Sequence, residues 1–227
     1  MTESSRPTIA ILGGTGKEGS GLALRWAHAG YPVVIGSRDA ARAVSAAAEL
    51  ATLLDGRRGL RGADNLSAAR AAQIAVLTVP YGAQRATALE VKEALEGKIL
   101  VDVTVPLAPP RVDRAHLEGG SAVERLQREL GPGVRVVSAF QNVSAVHLKD
   151  LAHRVECDVL VCGDDADARE RVVALARDAG MVAWHAGALA NSIASEALTS
   201  VLIAINKRYK VPASGIRICG VPLTGMA

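Results

Sequence analysis

Short, nearly uninterrupted apolar runs recur along the chain, separated by stretches in which Ala and Leu are interleaved with charge. Six of the runs read as strands: TIAILG from Thr8, PVVIGS from Pro32, IAVLTV from Ile74, KILVDVTV from Lys98, VRVVSAF from Val134 and CDVLVCG from Cys157. None alternates apolar and polar positions, so both faces of each strand are expected under cover, as in a parallel sheet between helical layers. Between them, KEGSGLALRWAHAG reads as a helix closed by Gly30, and ARAVSAAAELATLLDG as another ended by Gly56; glycine is favoured just past a helix end. A third helix is expected from Arg85 to Leu95, and RGADNLSAARAAQ supplies a short one with Asn65 or Ser67 as its cap. This alternation predicts an α/β fold, a Rossmann-type doubly wound parallel sheet.

The pattern changes after Gly163. DDADARERVVALARDAG is a charged amphipathic helix and NSIASEALTSVLIAINKRYK a long apolar one. The expected division is a nucleotide-binding Rossmann domain over residues 1–163 and a small, mainly helical C-terminal lobe over 164–227. Ile193, Ala197, Leu198, Val201 and Ile205 recur at helical spacing in the second helix, which therefore needs more cover than the short remaining segment offers. A homodimer is predicted.

Composition narrows the class. Of the 227 residues 49% are hydrophobic but only 3% aromatic, so the core is built from Ala, Val, Leu and Ile. A net charge of +3 without clustering argues against a nucleic-acid partner, because a phosphate backbone is met by basic residues gathered on one face. Three cysteines, Cys157, Cys162 and Cys219, with no CxxC pair, argue against a disulfide framework or a zinc site and read as buried thiols. The polar start MTESSRPT lacks the layout of a secretion signal, and no run reaches about 18 apolar residues. A cytoplasmic protein with no membrane partner is expected.

Candidate chemistry begins at the first strand. Gly14, Gly16 and Gly19 form a G-x-G-x-x-G pattern between a strand and a helix, the context that lends this motif weight. Gly14 is assigned the tight turn, Gly16 the close approach to a pyrophosphate and Gly19 the approach of helix to strand. Thr15 and Lys17 complete the loop, and the pyrophosphate is expected on the free amides of the helix start. The end of the second strand selects the nucleotide. NAD sites place a carboxylate there, whereas this chain has Ser37 and Arg38, with Arg42 one turn on. A hydroxyl and guanidinium groups bond a 2′-phosphate that a carboxylate repels, so the expected cofactor is NADP(H).

Carbonyl reduction calls for an acid that protonates the forming alkoxide. Tyr81 is followed four residues on by Arg85 and Tyr209 by Ala213, and Leu202 rather than Lys precedes Asn206 by four, so neither Tyr-x-x-x-Lys nor Lys-x-x-x-Asn is present. His28 and His116 stand in polar stretches, His153 and His185 show no partner in the sequence, and His147 follows a strand end. No catalytic residue is assigned; an acceptor that needs only a hydride fits this absence.

With these residues in view, the chain resembles the NADP-dependent coenzyme F-420 reductases over nearly its full length. The motifs that carry the resemblance are LGGTGKEGSGLALRWA, VVIGSRD, AVLTVPYG, LVDVTVPLAPPRV, VVSAFQNVSAVHL, DVLVCGDD and INKRYKVPASGIRICGV. The resemblance implies a Rossmann domain with a small C-terminal lobe, dimerisation, and hydride passage between NADPH and a 5-deazaflavin. Positioning of two rings then replaces a proton donor. It implies that the nicotinamide lies at Val79, Pro80 and Tyr81, with Thr104 to Leu107, Pro106 among them, at the same carboxyl edge. The deazaflavin is implied to lie against Phe140 to Ser144, namely Gln141, Asn142, Val143 and Ser144, and against the start of the C-terminal lobe. Some relatives have His where this chain has Gln141, whose amide bonds a ring carbonyl but donates no proton near neutral pH. Lys207, Arg208 and Lys210 offer a positive rim for the anionic tail of the coenzyme. Two other readings are an NADPH-dependent reductase of a flavin, metal chelate or imine, and a non-enzymatic NADP(H) sensor.

Overall fold

Four fully buried residues, Ile9–Leu12, form β1 and anchor the sheet in the computed structural model, which describes residues 6–54, 59–107, 112 and 114–222. β2 (Val33–Ser37), β4 (Ile74–Leu77) and β5 (Ile99–Asp102) are buried along their whole length as well, which explains their continuous apolar runs. With β3 (Leu60–Asp64), β6 (Arg135–Ser138), β7 (Val159–Gly163) and β8 (Ala183–His185) they make an eight-stranded sheet in the order β3-β2-β1-β4-β5-β6-β7-β8. β1 to β6 are mutually parallel, β7 runs antiparallel to β6, and β8 is parallel to β7. The order reverses between β1 and β4, which opens the crevice at their carboxyl ends where such sheets hold ligands.

Helices α1 (Lys17–His28), α2 (Ala40–Ala51), α3 (Asn65–Ala71), α4 (Tyr81–Glu90), α5 (Ala122–Leu130), α6 (Ala166–Asp178) and α7 (Ser192–Tyr209) cover the sheet. One core is built around Ile9, Ile11, Leu22, Trp26, Val137 and Val161, the other around Leu12, Leu77, Leu95, Leu100 and Leu126. Gly30, at φ +90°, turns the chain after α1, with Tyr31 N donating to Trp26 O at 3.0 Å. Trp26 Nε1 donates to Leu175 O at 2.8 Å and Arg25 donates to the carbonyls of Leu148, Ala179, His147, Asp150 and His153, so α1 ties the later third of the chain to the first βαβ unit.

Several local expectations are corrected. The cap of α3 is Asp64, which accepts from Ser67 N at 2.8 Å, and not Asn65 or Ser67. The helix expected at 85–95 starts earlier, at Tyr81, and closes in a 3-10 turn, Lys92–Leu95. β3, α5 and β8 were not expected. Gly56, the expected end of α2, lies outside the described residues, as does part of the LAPPRV stretch. β7 ends at Gly163; beyond it α6 packs on the sheet, β8 adds a strand to it beside β7, and α7 crosses to α5. Cys157 and Cys162 are buried but Cys219 is exposed. Among the described residues one helical stretch, Leu189–Tyr209, is long and apolar enough by composition to span a membrane, with mean hydropathy 1.3 and 33% of that window buried in the fold. It is not an unbroken apolar run, since Ser192, Ser195, Glu196, Thr199 and Ser200 interrupt it.

Candidate active site at the carboxyl edge

The glycine loop follows β1 directly. Gly13, rather than Gly14, takes the left-handed turn, at φ +72°, and a Cβ there would collide with Val79 Cγ1. Gly14 is required by packing instead, since its Cβ would stand 2.7 Å from Ile11 O. Gly19 lies where a Cβ would meet Thr78 Oγ1 at 2.5 Å and Gly14 Cα at 2.7 Å, so α1 sits close against the sheet. Gly16 differs: a Cβ there would find only Gly13 O, at 3.9 Å. It is exposed and caps α1 without a side-chain bond, leaving the first-turn amides available. By contrast α2, α3, α5 and α6 are each capped by a side chain, from Asp39, Asp64, Ser121 and Asp165. Thr15 is half-buried and Lys17 exposed beside this opening.

At the end of β2, Ser37 is buried and its hydroxyl accepts from Asp39 N at 3.2 Å. Arg38 and Arg42 are exposed, and among the described residues neither guanidinium enters an ion pair. The nearest carboxylate in sequence, Asp39, is committed to capping α2 through Arg42 N at 3.2 Å. Asn65, which sequence reading took only for a cap, is buried and its Oδ1 accepts from Gly13 N at 3.2 Å, so α3 steadies the loop.

Across the crevice, Val79 is half-buried, Pro80 is exposed and opens α4 without a side-chain cap, and Tyr81 accepts at its hydroxyl from Arg125 Nη2 at 2.9 Å. Pro106 is buried after β5, its carbonyl bonded by His116 N at 2.8 Å. Behind them lies a polar network that sequence reading missed. Asp102, fully buried at the end of β5, accepts from Gln84 Nε2 at 2.5 Å and Thr104 N at 2.8 Å, and Gln84 also donates to Thr104 Oγ1 at 2.8 Å. Burial pushes the Asp102 carboxyl up to about 6 against these bonds. Glu196, fully buried on α7, accepts from Ala122 N at 2.9 Å and Val123 N at 3.1 Å at the start of α5; burial, reinforced by Asp102, pushes it up to about 7. Glu18, in the first turn of α1, is pushed up to about 8 by loss of solvent, with the charge of Asp102 adding to it. The edge thus holds two carboxyl groups, Glu196 and Glu18, that keep protons near neutrality beside an Asp102 that is raised but mainly ionised there.

The loop after β6 closes the far side. Phe140 is forced to φ +71°, where an aromatic residue is strained; its ring meets Trp26 edge-on at 5.9 Å and 80°. Gln141 Nε2 donates to Asp102 O at 2.8 Å, and Thr199 Oγ1 of α7 donates to Gln141 O at 2.8 Å. Asn142 Nδ2 donates to Asp158 O at 2.9 Å and contacts Cys157 Sγ at 3.1 Å. Both side chains are buried, and their acceptors, Gln141 Oε1 and Asn142 Oδ1, have no partner. Val143 is buried, and Ser144 caps the 3-10 turn Ala145–His147.

Comparison with known proteins identifies the family. Residues 8–106 match the family described as NADP oxidoreductase, coenzyme F-420-dependent. The chain is 45% identical over 222 residues to the F-420-dependent NADP reductase of Methanothermobacter marburgensis, covering 94% of this chain and 99% of that one. The chain belongs to the F-420-dependent NADP reductase family. The reductase of Methanocaldococcus jannaschii is 40% identical over 95% of this chain and 99% of its own. A crystal structure from Arthrobacter sp. FB24, described as a proposed F-420-dependent NADP reductase, superposes with TM-score 0.79 at 27% identity, covering 94% of this chain and all of that one. The chemistry of these residues is compatible with the NADP(H) of the family: α1 starts without a side-chain cap, Gly16 leaves an open side, and among the described residues Arg38 and Arg42 enter no ion pair. Lys207, Arg208 and Lys210 are exposed at the end of α7. His147 and His153 stack at 4.1 Å, and His185 Nε2 lies 2.9 Å from Glu170 Oε2, partners not apparent in the sequence.

Proposed function

We propose that this reductase passes a hydride between NADP(H) and the deazaflavin coenzyme F-420 across the crevice between β1 and β4. The observation that carries the nucleotide choice is the pair of unpaired guanidinium groups, Arg38 and Arg42, beside Ser37 where NAD enzymes set a carboxylate. Gly14, Thr15, Gly16, Lys17 and Gly19 form the phosphate cradle, and Val79, Pro80, Tyr81 and Pro106 line the place of the nicotinamide. The unsatisfied oxygens of Gln141 and Asn142 give the deazaflavin acceptors for its ring donors, with Val143 and Ser144 beside them. NADPH, when bound, supplies the hydride that the oxidised deazaflavin takes at carbon 5. The chain holds both partners in position and keeps water out, which accounts for most of the work in such a transfer. Residues 164–227 complete the deazaflavin side and carry the dimer contacts. The molecule works in the cytoplasm as a homodimer.

The test mixes the purified protein with NADPH and oxidised coenzyme F-420 and follows the visible absorbance of the deazaflavin, with flavin mononucleotide as a parallel acceptor. Rapid bleaching of the deazaflavin alone is expected. Bound NADPH without bleaching overturns the reading, and faster reduction of the flavin points to another acceptor.

A further inference from the structure

A cavity of about 350 Å³ opens between the start of β7, the end of α6, β8 and the C-terminal segment, and no residue of the glycine loop, the β2 end or the Val79–Tyr81 turn lines it. Three arginines line it, Arg154, Arg177 and Arg217. Two carboxylates border it as well, but both are committed. Glu156 Oε1 pairs with Arg217 Nη2 at 2.6 Å, and Asp158 Oδ2 accepts from Trp184 Nε1 at 2.7 Å and from Ile218 N at 2.8 Å. Among the described residues Arg154 and Arg177 form no ion pair, and Nε of Arg177 is buried without a hydrogen-bond partner. A buried, unsatisfied donor on a cation is costly to the fold, and the planar guanidinium fork matches phosphate and carboxylate oxygens above other acceptors.

We propose that this cavity is a binding site for an oxyanion, a phosphate or carboxylate group held between Arg154 and Arg177. Such a group comes either from a free anion or from the anionic tail of the deazaflavin. The second source rests on the function proposed above, and the cavities give it a route. A smaller cavity of about 120 Å³ is lined by Ser144 and shares Val155, Glu156 and Cys157 with the larger one. Asn142 reaches the same Cys157, so the two cavities adjoin the loop assigned to the deazaflavin ring.

The experiment titrates the protein, saturated with NADP+ to block the nucleotide site, with inorganic phosphate and with citrate at constant ionic strength. A parallel titration uses coenzyme F-420 and its tail-free deazaflavin core. Arg177→Gln and Arg154→Gln are compared with the parent chain; Arg154 is exposed, so its variant keeps the site testable if the other folds poorly. Two results support the site. Phosphate and citrate binding that weakens tenfold or more in the variants identifies a free anion. A tenfold loss for coenzyme F-420 with the core unchanged identifies the tail. Phosphate, citrate and coenzyme F-420 all binding equally to parent and variants, or none binding at all, overturns it. The phosphate and citrate titrations stand independently of the deazaflavin assignment.

Discussion

The amide of Gln84 meets the carboxylate of Asp102 at 2.5 Å in a place where neither side chain has appreciable contact with solvent. The bond favours the ionised form of Asp102, yet loss of solvent outweighs it and leaves the group at about 6, with Glu196 at about 7. Both folded values lie above the ordinary 3.8 and 4.5, so the folded chain binds more protons than the unfolded chain between about pH 4 and 7. Its stability therefore falls as pH rises through that window. Thermal unfolding at pH 5 and pH 7.5 is expected to show higher stability at the lower pH, by roughly 4 kcal/mol at most from these two groups. Asp102→Asn removes part of the slope, and an unchanged slope in that variant refutes the assignment.

Two glycines of one motif separate folding from binding. At Gly19 an added methyl meets backbone at 2.7 Å, which cannot swing away, so Gly19→Ala is expected to cost about 1–3 kcal/mol of stability. At Gly16 the nearest atom is 3.9 Å away, so Gly16→Ala keeps the parent melting temperature. Its methyl instead occupies the side offered to the nucleotide, and NADPH affinity is expected to fall tenfold or more, about 1.4 kcal/mol upward. Calorimetric melts and NADPH titrations of both variants decide the matter; equal melting temperatures would refute the contrast.

What the sequence made legible follows from burial. Strands covered on both faces, such as β1 and β4, announce themselves as unbroken apolar runs. β3, with the sequence LRGAD at the sheet edge and only partly buried, and β8, three residues long, carry no such signal. α5 carries a local one, since Ser121 and Glu124 form a capping box, the spacing that marks a helix start. In the GG pair, φ is invisible from composition, so the left-handed turn was assigned to Gly14 when Gly13 makes it. The buried acids were hidden for a different reason. Glu196 bonds Ala122 across 74 residues, and only the tertiary return of α7 makes it a buried group.

Arg38 tests the choice of nucleotide. It is exposed and, among the described residues, enters no ion pair, so truncation breaks no such pair. Arg38→Ala is expected to weaken NADPH binding by about 1.5–3 kcal/mol, the worth of a hydrogen bond to a charged group, while NADH binding stays nearly constant. Fluorescence titration with both nucleotides measures the difference, and equal losses contradict a 2′-phosphate role.

α7 is built the wrong way round for a helix that ends in water. It buries Ser192, Ser195, Glu196 and Ser200 beside a single large apolar side chain, Leu202, while Ile193, Val201 and Ile205 remain 40%, 51% and 37% exposed. The inward polar groups are satisfied: Ser192 Oγ lies 2.7 Å from Ser138 Oγ, and Glu196 holds the start of α5. The helix is therefore fixed in this orientation, and its outer apolar stripe is what a second subunit would cover. Val201→Glu places a charge on that stripe without touching an inward bond. On the homodimer proposed above, its melt at high dilution is expected to match that of the parent chain, and its self-association to need a concentration tenfold higher or more than the parent's, read by sedimentation or light scattering; a parent chain that stays monomeric refutes the proposal. A variant that remains dimeric at the parent's concentration range would show that the stripe is not the interface.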